Sequence, residues 1–189
     1  ERNLPFWTPF LQKAKLNIFL SPLHQDMYFK KFGEEVINSS VCVPSSIDTE
    51  FFKENKEIVR QPNTVLGINC LLPFKGRYNI HNYAIAHPEL NFTFVGNQTQ
   101  INANNCKYVP YVANEDLPNV YSQFEYFIHL PSTGQPFERI IAEAFLCGCK
   151  IIYNDLVGFF SYPWDYSNRE DVRKKLSFGS LGFWEEIEK

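Results

Sequence analysis

A short turn between an apolar strand and an amphipathic helix has the composition of a phosphate-binding site. The strand is Phe127-Ile-His-Leu130, the turn holds Gly134, Gln135 and Pro136, and Phe137 opens the helix that follows. Such a turn points free backbone N–H groups and the positive end of the helix dipole at a ligand above it. We expect Gly134, Pro136 and Phe137 to act there through backbone shape.

A pair of cations follows an earlier strand. The segment Leu71-Leu-Pro-Phe-Lys-Gly-Arg77 lies between a strand that ends at Cys70 and the start of a helix. Lys75 and Arg77 should therefore stand near the carboxyl edge of the sheet, where ligands of open parallel sheets bind. A cation at this edge neutralises a diphosphate; the alternative is that both residues are exposed charges at a helix start.

Two further polar residues lie on the strand and helix around the turn. His129 interrupts the apolar strand and is typical of a satisfied core histidine, with contact to a ligand as the alternative. Glu143 lies away from the apolar stripe of its helix, so the pattern alone predicts a solvated surface carboxylate. Nothing in the sequence indicates a Ser-His-Asp or Cys-His arrangement for nucleophilic catalysis.

The elements that must position these residues alternate between apolar strands and helical patterns from Asn63 onward, which is the signature of βαβ units. The predicted fold class is α/β, a Rossmann-like parallel sheet with helices on both faces. Residues 63–189 form this unit, and residues 1–62 form an N-terminal segment packed on it. Four loops should reach the carboxyl edge: the loops after Cys70, at Gly96-Asn97 and after Val112, and the turn from Ser132 to Pro136.

The boundaries follow from the pattern of apolar residues, turn residues and caps. The predicted strands are 15–20, 41–44, 64–70, 91–95, 108–112, 126–130 and 150–153. The predicted helices are 22–32, a helical piece in 45–52, 75–86, a short helix capped by Asp116, 137–147, one opened by a capping box at 167–170, and one over 181–187 packed by Trp184.

Composition excludes several classes of protein. A chain of 189 residues with 44% hydrophobic content can fill one core, and its net charge of −3 gives no basic field for nucleic acid. Apolar runs of the roughly 20 residues that span a bilayer are lacking, as is a secretory leader.

Five cysteines, an odd number, indicate reduced core residues of a cytoplasmic protein, and Cys147 and Cys149 lack the second ligand pair of a metal site. The start at Glu1 without methionine suggests a piece of something longer.

The turn resembles the retaining group-1 glycosyltransferases of GT-B architecture, which use nucleotide-sugar donors. Their donor-binding half has a Pro-Ser, then Glu-x-Phe-Gly, then a second Glu-Ala on the helix, then Gly and an apolar strand. The matching residues here are Pro131-Ser132, Pro136-Phe137, Glu143-Ala144, Gly148 and Ile151-Ile152. Two positions differ, because Gln135 stands where the family has its first Glu and Glu138 where it has Gly.

The family also has Gly-Arg-Leu-x-x-x-Lys-Gly after the earlier strand, and Lys75-Gly76 matches its Lys-Gly. The resemblance implies that Lys75 and the Gly134–Phe137 turn bind the leaving diphosphate. Cys70 stands at the Arg position, and cysteine cannot form a bidentate clamp on phosphate oxygens; Arg77 is the candidate substitute.

The other site residues also take roles from the resemblance. It implies that Glu143 accepts hydrogen bonds from the ribose hydroxyls. Gln135 takes the catalytic position, where its amide can bind a sugar hydroxyl but cannot supply the negative charge that supports an oxocarbenium-like transition state. Glu138 should favour the helix dipole and repel phosphate.

These matches imply the donor-binding half of a hexosyltransferase that moves a sugar from a nucleoside diphosphate sugar to a glycan or lipid-linked acceptor with retention. The acceptor-binding N-terminal half is absent from this chain, so we expect the isolated piece to be inactive. No cofactor or metal is implied, since protein cations and the helix terminus replace a divalent ion. If the acceptor is lipid-linked, peripheral membrane association of the full protein is expected.

Two alternatives stay open. The first is a catalytically degenerate glycosyltransferase-like module, kept for binding or assembly after loss of the Arg, the first Glu and the Gly. The second is a flavodoxin-like or other nucleotide-binding domain, which is disfavoured because no Gly-x-Gly-x-x-Gly follows the first strand.

Overall fold

The computed structural model describes residues 4–37, 39–96 and 100–188 of the chain. In chain order its helices and strands are α1 (Leu4–Lys13), β1 (Asn17–Phe19), α2 (Pro22–Phe32), β2 (Ser40–Cys42), β3 (Gln61–Ile68), α3 (Arg77–Ala86), β4 (Asn91–Val95), β5 (Cys106–Val109), α4 (Leu117–Gln123), β6 (Phe124–His129), α5 (Arg139–Leu146), β7 (Lys150–Tyr153), α6 (Arg169–Ser177) and α7 (Gly179–Ile187). Short 3-10 turns lie at 34–36, 114–116 and 158–161.

Five parallel strands form the main sheet in the order β5-β4-β3-β6-β7. The central strands are apolar without alternation because both faces are covered. Leu66 and Phe127 pack on the side of α5 and α6, whereas Val65 and Ile128 pack on the side of α3. The predicted α/β class, with a parallel sheet between two helical layers, is therefore confirmed.

The chain changes winding direction between β3 and β6. From β3 it runs outward through β4 to β5, and it then returns to pair β6 with the other side of β3. The carboxyl ends of β3 and β6 consequently lie side by side, with the loops that follow them above the same edge. In open α/β sheets this switch point is where ligands bind.

The N-terminal segment forms a second, two-stranded parallel sheet of β1 and β2 against α2. Ser21 caps α2 by accepting the His24 N–H at 3.1 Å, and its hydroxyl also donates to the carbonyl of Pro136. The backbone N–H of Leu23 donates to Ser161 Oγ at 3.0 Å. The start of α2 is thus fastened to the turn before α5 and to the 158–161 turn.

Three local predictions are wrong, each for a physical reason. The 45–52 segment forms a single turn, since Asp48 Oδ1 accepts the N–H groups of Glu50 and Phe51 and so competes with helix continuation. The cap of α6 is Asn168, which accepts the Asp171 N–H at 3.1 Å, whereas the predicted Ser167 binds a neighbouring aspartate instead. Trp184 does not pack α7, because it is 59% exposed.

Candidate functional site

The loop after β3 and the turn before α5 touch each other. The Ser132 N–H donates to the Phe74 carbonyl at 3.1 Å. Gly76 has a φ of 97°, and a Cβ placed on it would lie 1.7 Å from the Leu130 carbonyl oxygen. Only glycine fits such a conformation at such an approach. The two predicted binding segments therefore meet at the switch point.

Lys75 and the start of α5 converge on one place. Lys75 Nζ lies 3.8 Å from Glu138 Oε1, and His129 Nε2 lies 3.9 Å from Glu138 Oε2. Glu138 is the residue that immediately precedes α5, and its side chain is only 13% exposed. The predicted cation and the predicted helix start thus share a site, but the anion that Lys75 faces there is a carboxylate of the chain itself.

Burial controls the charges of this cluster. It raises the pKa of Glu138, an effect that the nearby Lys75 ammonium opposes. Burial, with a smaller repulsion from Lys75, lowers the pKa of His129 to about 4, so the imidazole is neutral at physiological pH. Neither ring nitrogen of His129 has a hydrogen-bond partner among the described residues. The sequence prediction of a satisfied core histidine is wrong in this respect: His129 is buried but unsatisfied.

A pocket of about 420 Å³ opens beside the cluster, above the carboxyl ends of β3 and β4. Its floor and walls combine strand ends, two of the loops expected at this edge, and the first turns of α5. The lining residues are Ile68, Asn69, Val95, Gly96, Tyr111, Val112, Asn114, Leu117, Arg139, Ile140 and Glu143. Asn97, which was expected in one of these loops, lies outside the described residues.

Glu143 lies in the wall of the pocket with only 7% of its surface exposed. The pattern-based prediction of a solvated carboxylate is therefore wrong, because this side of α5 packs against α4. Burial raises the pKa of Glu143, and the Arg139 guanidinium 3.9 Å away and the Tyr121 hydroxyl, which donates to Oε2 at 3.4 Å, oppose that shift. A buried carboxylate with an open side on a pocket can accept hydrogen bonds from two adjacent hydroxyls.

Gln135 is folded back onto its own turn. Its side-chain Nε2 donates to the Thr133 carbonyl at 3.0 Å and to Thr133 Oγ1 at 3.3 Å. Its backbone N–H donates to Leu156 and its carbonyl accepts from Gly158. The catalytic role that the resemblance gives to this amide stays a prediction.

The other turn residues hold the turn in place by packing. Gly134 lies so close to α2 that a Cβ on it would be 2.5 Å from Met27 Sδ. The carbonyl of Pro136 is enclosed by Ser21 and Gly158. Phe137 precedes α5 rather than belonging to it, and its ring is buried 5.6 Å from that of Phe159.

The residue at the family's Arg position, Cys70, and its candidate substitute, Arg77, do not pair with Lys75 or Glu138. Cys70 is fully buried in the core, where burial raises the pKa of its thiol to about 12. Arg77 donates to the carbonyl of Gln100 at 3.3 Å, on the loop between β4 and β5. In the structure, the positive charge paired with Glu138 is therefore that of Lys75.

Two residues in the site have the backbone conformation of glycine. Asn69 has a φ of 46° and Glu138 a φ of 64°. In the glycosyltransferase motifs quoted above, glycine stands at both of these positions. The backbone therefore keeps a turn shape that glycine adopts freely, that asparagine tolerates, and that a residue such as glutamate adopts at a cost of about 1–2 kcal/mol. Sequence reasoning considered only the charge of Glu138 and missed this conformation, which the motif glycines could have indicated.

Other kinds of site receive no support within the described ranges. No group of three or more His, Cys, Asp or Glu side chains there could hold a metal ion. Cys147 and Cys149 are buried, and burial raises the pKa of these thiols to about 12 and about 11. In the same ranges, every helix is too short or too polar to cross a membrane.

Solved structures share this architecture. Anabaena HepE, in complex with UDP and glucose, is 20% identical with a TM-score of 0.66 over 84% of this chain and 50% of its own. Sucrose-phosphate synthase from Thermosynechococcus elongatus is 16% identical with a TM-score of 0.68 over 95% of this chain and 53% of its own. The pneumococcal O-GlcNAc transferase GtfA, in complex with UDP and GlcNAc, is 18% identical with a TM-score of 0.62 over 99% of this chain and 42% of its own.

This chain spans about half the length of the structures it matches. No protein-family model matches the sequence, and the comparison with curated proteins gives no match. The parallel sheet, its strand order and these likenesses together show that the fold of this chain matches one half of a GT-B glycosyltransferase.

Proposed function

We propose that this chain is the donor-binding half of a retaining glycosyltransferase and that it binds a nucleoside diphosphate sugar at the switch point of its sheet. The observation that carries the proposal is the meeting of Lys75 with the start of α5 beside a pocket that contains the buried Glu143. Two neighbours solved with UDP support it, because they bind a nucleoside diphosphate and share this fold over about half of their length.

In this proposal the diphosphate lies between Lys75 and the first N–H groups of α5, which have no acceptor within the helix. The ribose hydroxyls bind Glu143, and the nucleoside fills the pocket next to Tyr111. Lys75 and the helix terminus stabilise the negative charge that develops on the leaving diphosphate, so the reaction as proposed needs no metal. Gln135 takes the place of the first Glu of the family motif, and in this proposal its side-chain amide binds a hydroxyl group of the sugar.

The remaining parts of the proposal concern the full protein. A second half, outside this chain, binds a glycan or lipid-linked acceptor and closes the cleft, so the isolated chain transfers no hexose. A cytoplasmic location is supported by the free cysteines among the described residues. Peripheral membrane association would follow from a lipid-linked acceptor.

Isothermal titration calorimetry with UDP-glucose, UDP and GDP tests donor binding. We expect saturable heat for at least one of these nucleotides. Lys75→Ala should weaken binding about tenfold or more, since a charge-assisted hydrogen bond contributes roughly 1.5–3 kcal/mol. Glu143→Gln should weaken a nucleoside diphosphate but not inorganic pyrophosphate, which lacks ribose.

Lys56→Ala is the matched control, because Lys56 is an exposed lysine of the 53–60 connection, away from the switch point. Saturable heat that Lys75→Ala and Lys56→Ala change equally would contradict the assignment of the diphosphate site. Transfer of sugar by the isolated chain would contradict the proposed need for a second half.

A degenerate module is the second candidate, and two observations favour it. Glu138 places a carboxylate against the cation that should bind diphosphate, and Cys70 directs a thiol into the core where the family motif has Arg. A dead scaffold would show no saturable heat with any nucleotide between pH 5.5 and 8.5. That result would favour the second candidate over the first.

A further inference from the structure

Glu138 occupies the place that an anionic ligand would take. Its backbone has a φ of 64°, and its carboxylate faces the loop after β3, where Oε1 lies 3.8 Å from Lys75 Nζ. The side chain is 13% exposed, so the ion pair is shielded from water. A phosphate group that binds Lys75 at this helix start must therefore displace the carboxylate or share the cation with it.

A second observation marks the same place as incomplete. His129 is fully buried, faces Glu138 Oε2 across 3.9 Å, and has no hydrogen-bond partner on either ring nitrogen among the described residues. An unsatisfied buried polar group destabilises the fold, so partners that arrive with a ligand or a proton are favoured. A protonated Glu138 would supply one, because a carboxylic acid can donate to a neutral imidazole nitrogen.

We propose that Glu138 is an internal competitor at the diphosphate subsite: it holds Lys75 until an anionic ligand displaces it, and it then takes up a proton from solvent and turns to His129. This inference rests on the proposed function. It adds that donor binding is coupled to the uptake of a proton and that Glu138 sets the affinity.

The groups around Glu138 agree with this exchange. Lys75 faces it from the loop after β3 and His129 from β6, while Arg139 and Glu143 on its own helix pair with each other. Loss of Lys75 to a phosphate leaves a largely buried carboxylate without a counter-charge and next to a second anion, and both changes favour its neutral form. Before a ligand arrives His129 is neutral, because burial lowers its pKa to about 4.

Calorimetry with UDP-glucose as the probe tests the inference, because this ligand has no phosphate monoester that would titrate near pH 6. We compare the wild type, Glu138→Gln and Glu138→Gly between pH 6 and 8.5, in two buffers with different ionisation enthalpies. Glu57→Gln is the matched control, since it removes one exposed carboxylate from the 53–60 connection.

The wild type and Glu57→Gln should take up close to one proton per ligand at the upper end of this range, with Kd rising by up to about tenfold per pH unit. Glu138→Gln, which imitates the neutral acid, should bind with no proton uptake, a flat pH profile and a Kd about tenfold or more lower at pH 8. Binding by Glu138→Gln or Glu138→Gly where the wild type shows none would also support the competitor.

The inference falls, with the proposed function intact, if the wild type binds without proton uptake and Glu138→Gln has the same Kd. It falls likewise if the wild type binds and both Glu138 variants do not, since Glu138 would then be a ligand rather than a competitor. No binding by any of the proteins at any pH overturns the proposed function and the inference together.

Discussion

The contact between the loop after β3 and the turn before α5 can be tested by adding one methyl group. Gly76→Ala places a Cβ 1.7 Å from the Leu130 carbonyl oxygen in a backbone conformation with a φ of 97°. The left-handed conformation costs about 1–2 kcal/mol for alanine, and overpacking against a fixed backbone atom costs about 1–3 kcal/mol. The reduced entropy of the unfolded chain offsets about 0.4–1 kcal/mol. We expect a net loss of about 1–5 kcal/mol in the free energy of unfolding.

Gly182→Ala is the matched control. Gly182 lies within α7, and a Cβ added there would meet nothing within 4 Å. The same substitution should therefore stabilise the protein by about 0.5–1 kcal/mol through helix propensity. For a chain of this size, 1 kcal/mol shifts Tm by about 2–4 °C, so the two variants should move Tm in opposite directions.

The assay is thermal and urea unfolding followed by circular dichroism, together with UDP-glucose titration of each folded variant. Gly76→Ala should lower Tm by about 2–20 °C. It should also weaken binding of UDP-glucose, because Lys75 moves with the loop. A Gly76→Ala protein as stable as Gly182→Ala would refute the contact between the two loops. The shared anion site would then lose its structural basis.

Three further predictions concern stability. His129 is neutral in the fold and its pKa is lowered from 6.5 to about 4, so its contribution to stability is present above pH 6.5 and is lost as the pH falls toward 4. In urea unfolding at pH 7 and pH 4, His129→Leu should therefore reduce the loss of stability in acid by up to roughly 3 kcal/mol. The same loss of stability between the two pH values in the variant and the wild type would contradict the neutral imidazole. Arg60→Ala removes the donor to three backbone carbonyls and should lower the free energy of unfolding in urea by about 2–4 kcal/mol. Lys56→Ala, the control, should lower it by less than about 0.5 kcal/mol. Equal effects of the two substitutions would refute the role of Arg60 in holding these carbonyls together. Trp184→Ala should change the unfolding free energy by less than about 0.5 kcal/mol, because the ring is exposed, and a larger loss would mean that α7 is packed by this residue as the sequence predicts.

Much of the sheet could be predicted from the sequence. α2, β4 and β7 begin and end at the predicted residues, because each is bounded by residues with a strong local preference. Ser21 and Pro22 open α2 and Gly33 ends it. The alternation of strands and helices then required a parallel sheet, and the carboxyl-edge rule brought Lys75 and the turn before α5 to one place.

The sequence could not predict features that depend on tertiary contacts. Glu143 is predicted to be solvated from its position on the helix, and only the packing of α5 against α4 shows that the carboxylate is buried and accepts a hydrogen bond from the Tyr121 hydroxyl. Arg60 reads as part of a charged surface connection, yet its guanidinium bridges the carbonyl ends of α4 and α5. In both cases the partner lies more than 20 residues away, so no local pattern records it.

At the left-handed turns of Asn69 and Glu138, a change of side chain can alter the affinity for an anion without altering the backbone. Because the main chain at both places already has the shape that glycine prefers, either residue can be exchanged for glycine with no movement of the strands beneath it. Such a protein can gain or lose an anion at Glu138 by changing one side chain, while the contacts that hold the sheet and its loops together stay the same.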